Sequence, residues 1–304
     1  MGTGETVLGT VGAASRVPTF RASLELFKPI TWFPPMWAFA CGAVSSGVPL
    51  GSRPMALVVG IVLAGPLLCG ASQACNDWFD RHVDAVNEPH RVIPSGRMPG
   101  RWGLGLAVAM SVLALVVAAS LGPWVFAPAA LGLFLGWAYS APPLRLKREG
   151  WTGAATCALA YEGLPWIAAA AAATGAAPSA PIVTVALLYA AGATGIMAMN
   201  DFKSMEGDRL HGVRSIPARL GMRRGAIIAC AIMLAAQLGV LLALVVLDAP
   251  FHAAVVGALV LAQLVCMRRL VADPLERAPW FNAVGTGLYV IGMMVSAHAL
   301  GGLS

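Results

Sequence analysis

An all-α membrane protein is the fold class this sequence predicts, with nine transmembrane helices in a bundle around a central cavity. Three observations predict it. The first is composition: 58% of the 304 residues are hydrophobic and only 11% are charged, with a mean hydropathy of +0.76. A soluble globular chain carries about 25% charged residues. The second is a series of apolar runs close to 20 residues long, the length that crosses a bilayer as helix. The third is a one-sided placement of the basic residues, which fixes a topology because cytoplasmic loops collect Lys and Arg.

Taken in chain order, residues 1–22 are rich in Thr, Gly and Ser and read as a flexible cytoplasmic arm. Residues 23–304 read as a single transmembrane domain. No cleavable signal peptide is expected, since the first long apolar run starts beyond residue 28. The predicted spans lie at 24–47, 54–77, 103–121, 123–141, 152–174, 180–201, 225–247, 250–271 and 280–300. Pro66, Pro128 and Pro165 interrupt three of them, which membrane helices tolerate where neighbours satisfy the freed backbone groups. With a cytoplasmic N-terminus, 19 of the 20 Lys and Arg fall on the inner segments, and only Arg53 falls outside. The formal charge of +6 therefore describes one face, and attraction to anionic headgroups accounts for most of it. No nucleic-acid module is visible, so no nucleic-acid partner is expected. The six cysteines sit in or near spans without metal-ligand spacing and read as small apolar residues.

Two segments carry the chemistry. Asn76-Asp77-Trp78-Phe79-Asp80-Arg81-His82-Val83-Asp84 ends the second span, and Asn200-Asp201-Phe202-Lys203-Ser204-Met205-Glu206-Gly207-Asp208 ends the sixth. With Glu88 they hold seven of the 14 acidic residues. Acids near lipid are costly and are kept there for function. The second segment follows the first by 124 residues, and Arg91-Val92-Ile93-Pro94 is echoed by Arg214-Ser215-Ile216-Pro217. This predicts two four-helix pseudo-repeats plus a ninth helix, an organisation that often places the site at the repeat interface. At 100° per residue, Asp77, Asp80 and Asp84 share an arc of about 60° and climb roughly 10 Å along it. Asp201, Ser204 and Asp208 share the same three angles, so Ser204 stands where the first motif has Asp80. Hard oxygen donors without His or Cys suit Mg²⁺, which keeps waters and bridges to phosphates. Arg91, Lys203, Arg214, Arg145 and Lys147 are the expected diphosphate contacts. The competing reading is that these acids and bases only pair with one another at headgroup level.

On these residues the chain resembles the intramembrane aromatic prenyltransferase superfamily, in which an N-D-x-x-D-x-x-x-D motif and a second acidic motif bind Mg²⁺ and a prenyl diphosphate. Within it, the stretch from Asn76 to Gly96 is similar to the first motif of the chlorophyll and bacteriochlorophyll synthases, and the stretch from Asn200 to Asp208 to their second. Tyr139-Ser-Ala-Pro-Pro-Leu-Arg-Leu-Lys147 fits a loop of the same family. The resemblance covers about residues 24–300. Other branches carry Asp where this chain has Ser204; the departure fits the chlorophyll-synthase branch and leaves the second site one ligand poorer. The resemblance implies metal binding by Asn76, Asp77, Asp80, Asp84, Asn200, Asp201 and Asp208. It also implies esterification of a (bacterio)chlorophyllide propionate by geranylgeranyl or phytyl diphosphate, with no covalent nucleophile on the protein. The implied setting is the cytoplasmic or intracytoplasmic photosynthetic membrane of a bacterium, with the site facing the cytoplasm.

Glu162, inside the fifth span, reads either as a residue orienting substrate in the cavity or as a hydrogen-bonding partner of a neighbouring helix. Tyr139, Trp78 and Ser204 are further candidates for the cavity wall, with an interfacial aromatic belt as the alternative for Trp78. The run Ala168–Ala173 reads as close helix packing or as room for a wide substrate. Three functional alternatives stand beside the esterifying one: another prenyl acceptor (a quinone precursor or haem), a cation-coupled transporter, and a non-catalytic pigment scaffold. Acids clustered at one face count against transport.

Overall fold

The computed structural model describes residues 17–200, 202 and 214–303. Its helices are α1 (Phe20–Leu26), α2 (Phe33–Ser45), α3 (Pro54–Val62), α4 (Gly70–Asn87), α5 (Trp102–Ser120), α6 (Pro123–Ser140), α7 (Gly150–Ala158), α8 (Leu164–Thr174), α9 (Ala180–Asn200), α10 (Ile216–Leu220), α11 (Met222–Val246), α12 (Pro250–Ala272) and α13 (Pro274–Gly301). Among the described residues there is no strand, only an isolated bridge between Glu149 and Arg214. A π-helical turn at Leu63–Cys69 joins α3 to α4, and another at Leu159–Gly163 joins α7 to α8. Pro66 lies inside the first of these turns. It lacks an N–H to donate, which a wider turn accommodates.

Helix occupies all nine predicted runs. Among the described residues six helices are long and apolar enough to cross a membrane: Pro54–Asn87, Trp102–Ser120, Ala180–Asn200, Met222–Val246, Pro250–Ala272 and Pro274–Gly301. The other three runs are less apolar or shorter for visible reasons. Helix α2 has 13 residues, α6 carries proline, tryptophan, tyrosine and serine near its ends, and the α7–α8 rod holds Glu162.

The first predicted run is not one helix. Lys28 sits at φ 46° and splits it, because a residue before proline is pushed out of the helical region and Pro29 follows. Helix α1 also begins at Phe20, inside the stretch assigned to the arm, with Thr19 Oγ1 accepting from the Ala22 N–H at 3.2 Å. Residues 1–16 of that arm lie outside the described residues. At the first acidic motif, α4 continues to Asn87, ten residues past the predicted end of the span. The first Asn-Asp pair therefore lies mid-helix; of the second pair only Asn200, in α9, is among the described residues.

Packing is dense in small residues. The largest apolar cluster joins α2, α8, α9 and α11–α13, and a second joins α2, α5, α6 and α8. All six alanines from Ala168 to Ala173 are buried, which is the close-packing reading of that run. Gly42 on α2 shows how close: a Cβ there would stand 2.8 Å from Ala169 Cβ and 2.8 Å from the Trp166 carbonyl carbon. Backbone cannot yield as a side-chain tip can. Gly42→Ala is expected to force α2 off α8 at a cost of about 1–3 kcal/mol, read as a lower Tm in detergent. An unchanged Tm would show that the two helices have slack.

Candidate active site

The first acidic motif is built on the last three turns of α4, where a regular helix puts its three aspartates on one arc. Each meets a cation from a different segment. Asp77, only 3% exposed, receives Lys28 Nζ at 2.6 Å and Arg91 Nη1 at 3.4 Å. Asp84 receives the same Arg91 Nη1 at 2.9 Å. Asp80 pairs directly with Lys147 and, at 3.3 Å, with Arg145 Nη2. The amide of Asn76 donates to Asp80 Oδ2 at 3.0 Å and to Ser140 Oγ at 3.1 Å, tying α4 to the end of α6. Arg91 Nε also donates to Glu88 Oε2 at 2.9 Å, and that bond holds the Glu88 carboxyl below its usual range. Burial holds the Lys147 ammonium below its ordinary range, against the pull of Asp80.

The break at Lys28 is what delivers its ammonium here, and the left-handed Arg145 (φ 40°) turns the loop after α6 back toward Asp80. Buried charges are tolerable only when paired, and this cluster is balanced: Lys28, Arg91, Arg145 and Lys147 against Asp77, Asp80, Asp84 and Glu88. One donor is left over. Arg145 Nε is buried with no hydrogen-bond partner among the described residues.

An apolar cavity runs from this cluster into the bundle between α2, α3–α4, α6 and α7–α8. Asn76, Gln73 and Tyr139 line its polar end, and Phe39, Gly60 and Ala168 lie at the far end. Gln73 Nε2 and Cys69 Sγ both donate to the Tyr161 hydroxyl, at 3.0 and 3.3 Å.

The predicted residues divide accordingly. Asn76, Asp77, Asp80, Asp84, Arg91, Arg145 and Lys147 are brought together, and Tyr139 borders them on the cavity wall. Arg214 is not among them: its side chain is 69% exposed and meets Glu149 at 3.3 Å. Its backbone, however, bonds Arg148 and Gly150 at 3.0 Å each, tying the segment after the second motif to the Lys147 loop. Glu162 does not line this cavity. It is 8% exposed, with Oε2 lacking a partner among the described residues. Its neighbour Tyr161 takes the cavity side, as adjacent residues on a helix face different ways. Trp78 is likewise off the cavity wall, its ring covered by the Arg81 guanidinium at 4.2 Å. Asn200 accepts from Asn282 Nδ2 at 3.1 Å. Asp201, Lys203, Ser204 and Asp208 lie outside the described residues.

Sequence reading missed Lys28, Gln73, Ser140, Tyr161 and Asn282. Lys28 had a signal, a cation directly before Pro29 at the mouth of the first span. Gln73 had one too, one turn before Asn76 and Asp77 on the same face.

The donor chemistry suits Mg²⁺: carboxylate and amide oxygens with no thiol or imidazole. Among the described residues no three acids, histidines or cysteines are grouped to hold an ion, and each aspartate of the first motif is paired with a cation.

The chain is similar to known proteins over most of its length. Residues 31–292 match the UbiA prenyltransferase family. The chain is 56% identical over 287 residues to the "Bacteriochlorophyll synthase 33 kDa chain" of Cereibacter sphaeroides, covering 94% of this chain and 95% of that protein. It is 35% identical over 309 residues to the chloroplastic chlorophyll synthase of Arabidopsis thaliana, covering 96% and 78%. Among solved structures, a UbiA homolog from Archaeoglobus fulgidus bound to GPP and Mg²⁺ superposes with a TM-score of 0.71 at 18% identity, over 90% of this chain and 99% of that one. With most of its length matched and its acidic motif set beside a deep apolar cavity, the chain belongs to the UbiA prenyltransferase family.

Proposed function

We propose that this protein transfers a C20 prenyl group, geranylgeranyl or phytyl, from its diphosphate to the propionate carboxylate of bacteriochlorophyllide. The observation that carries the reading is the join between a cation-rich acidic cluster and an apolar cavity. That shape fits a ligand with an anionic head and a long hydrocarbon body. The acceptor rests on the relatives, whose names are those of bacteriochlorophyll and chlorophyll synthases over nearly the whole chain.

Lys28, Arg91, Arg145 and Lys147 are the proposed diphosphate contacts, with Arg145 Nε the donor still to be satisfied. Asn76, Asp77, Asp80 and Asp84, together with Asn200, Asp201 and Asp208, are the residues that would hold Mg²⁺. Bound there, Mg²⁺ supplies charge neutralisation for the departing diphosphate. In the reaction the donor's C1–O bond breaks with its electron pair leaving on the diphosphate. A propionate oxygen then forms the new bond to C1. The fixed cations favour charge as it develops on the leaving group, and the apolar wall keeps water from the allylic carbon. The acceptor carboxylate is already ionised at neutral pH, since such groups titrate near pH 4–5. No general base or covalent nucleophile is needed.

The same proposal places nine spans in a bacterial cytoplasmic or intracytoplasmic photosynthetic membrane, with the site and the N-terminus on the cytoplasmic side. The test is an acceptor panel. Purified protein with geranylgeranyl diphosphate and Mg²⁺ is given bacteriochlorophyllide, chlorophyllide, haem or a quinone precursor, and products are read by mass. The esterified bacteriochlorophyllide is expected to dominate. A prenylated haem or quinone product in its place would overturn the acceptor assignment.

A further inference from the structure

We infer that Phe39, seated on Gly60, forms a floor to the cavity that sets the length of the prenyl donor. This rests on the reading above that the cavity holds the hydrocarbon chain.

The cavity has a direction. Along the continuous α3–α4 rod, Asn76 is the lining residue nearest the acidic cluster and Gly60 the one farthest from it. Sixteen residues separate them, which at 1.5 Å per residue is about 24 Å. The sixteen-carbon backbone of a C20 prenyl chain, advancing roughly 1.25 Å per bond when extended, reaches about 19 Å from ordinary carbon–carbon geometry. With the diphosphate at the level of Asn76 and Asp77, the tail of a C20 donor ends about 5 Å short of Gly60. One further isoprene unit adds about 5 Å by the same geometry, which brings the tail to the level of Gly60, where the Phe39 ring already sits.

What closes that end is one ring. Phe39 comes from α2 and is 1% exposed. A Cβ built on Gly60 would stand 2.7 Å from Phe39 Cε2 and closer still to Cζ. The ring tip therefore rests on the bare backbone of α3, in space only glycine leaves. Leu63 follows Gly60 one turn along the same wall, and the remaining far-end side chains, Ala64, Pro128, Ala129 and Ala168, are small or stubby. Removing the ring deepens the cavity. Adding a methyl at Gly60 drives the ring tip, the movable partner, into the space the chain tail occupies. Ordinary helix packing accounts for a Gly–Phe contact, but it does not account for the contact lying on the cavity wall at the end opposite the charges.

The two substitutions have opposite signatures, which a general loss of packing would not give. Initial rates are measured for full-length purified wild type, Phe39→Ala, Phe39→Leu and Gly60→Ala with C10, C15, C20 and C25 prenyl diphosphates at fixed acceptor. Phe39→Ala is expected to raise the C25-to-C20 ratio of kcat/KM about tenfold, with Phe39→Leu intermediate. One isoprene unit released from a clash is worth at least the 1.4 kcal/mol that a tenfold ratio represents. Gly60→Ala is expected to raise the C15-to-C20 ratio by a similar factor. Unchanged length ratios in folded variants that still transfer C20 would overturn the floor and leave the prenyl reading intact. A wild type that transfers no prenyl chain of any length would overturn both. If Gly60→Ala does not fold, the Phe39 pair decides the matter alone.

Discussion

Asp77→Asn is expected to lower kcat/KM about 10³-fold, near 4 kcal/mol of transition-state stabilisation, while the protein still inserts and elutes as a folded species. The change keeps the shape of the side chain and removes one charge. Asp77 is the most buried carboxylate of the cluster and the only one that Lys28 and Arg91 share. Without it, Lys28 and Arg91 face a neutral amide, and the proposed Mg²⁺ ligand set loses a charged member. Both cations keep about a quarter of their side-chain surface exposed, so they can turn to water without unfolding the bundle. Activity is read as esterified pigment, with Tm measured in parallel. Turnover within about threefold of wild type would remove Asp77 from the site.

Lys147→Met should cost about 10²-fold in kcat/KM, near 2.7 kcal/mol, with a rise in KM for the diphosphate. Methionine keeps the apolar stem and removes the ammonium. Lys147 pairs directly with Asp80, and Arg145 approaches the same carboxylate. Losing Lys147 leaves Asp80 with one longer-range cation and the diphosphate with one contact fewer. Lys147→Arg should not restore full activity, because a compact ammonium in a tight buried contact is a poor place for a planar fork. Wild-type KM in Lys147→Met would make the pair merely structural.

Much of the architecture was legible, because helices that cross a membrane announce themselves by length and hydropathy. Six long apolar helices lie where the runs predicted them. The angular argument for Asp77, Asp80 and Asp84 worked for the same reason: α4 stays a regular helix to Asn87. Other features are tertiary and were not legible. Lys28 reaches Asp77 only because the chain breaks before Pro29, and no periodicity shows where a broken end will point. Arg214 fits the repeat by sequence, yet its side chain turns to Glu149 because its backbone is tied to the Lys147 loop. Glu162 looked like a cavity residue by depth alone. The face it takes depends on the π-turn at Leu159–Gly163, which puts Tyr161 on the cavity instead. Phe39 and Gly60 read as unremarkable apolar positions until the cavity between them and Asn76 is seen.

The central claim is that the charged cluster releases diphosphate from the prenyl C1 and that a carboxylate oxygen takes its place. Oxygen labelling tests it most directly. Bacteriochlorophyllide carrying ¹⁸O in both propionate carboxylate oxygens is turned over with unlabelled geranylgeranyl diphosphate and Mg²⁺, and the ester is weighed. Prenyl transfer to the carboxylate predicts that the ester keeps both labels. Loss of one label would mean that the acyl carbon was attacked by a prenyl alcohol, and would contradict the account.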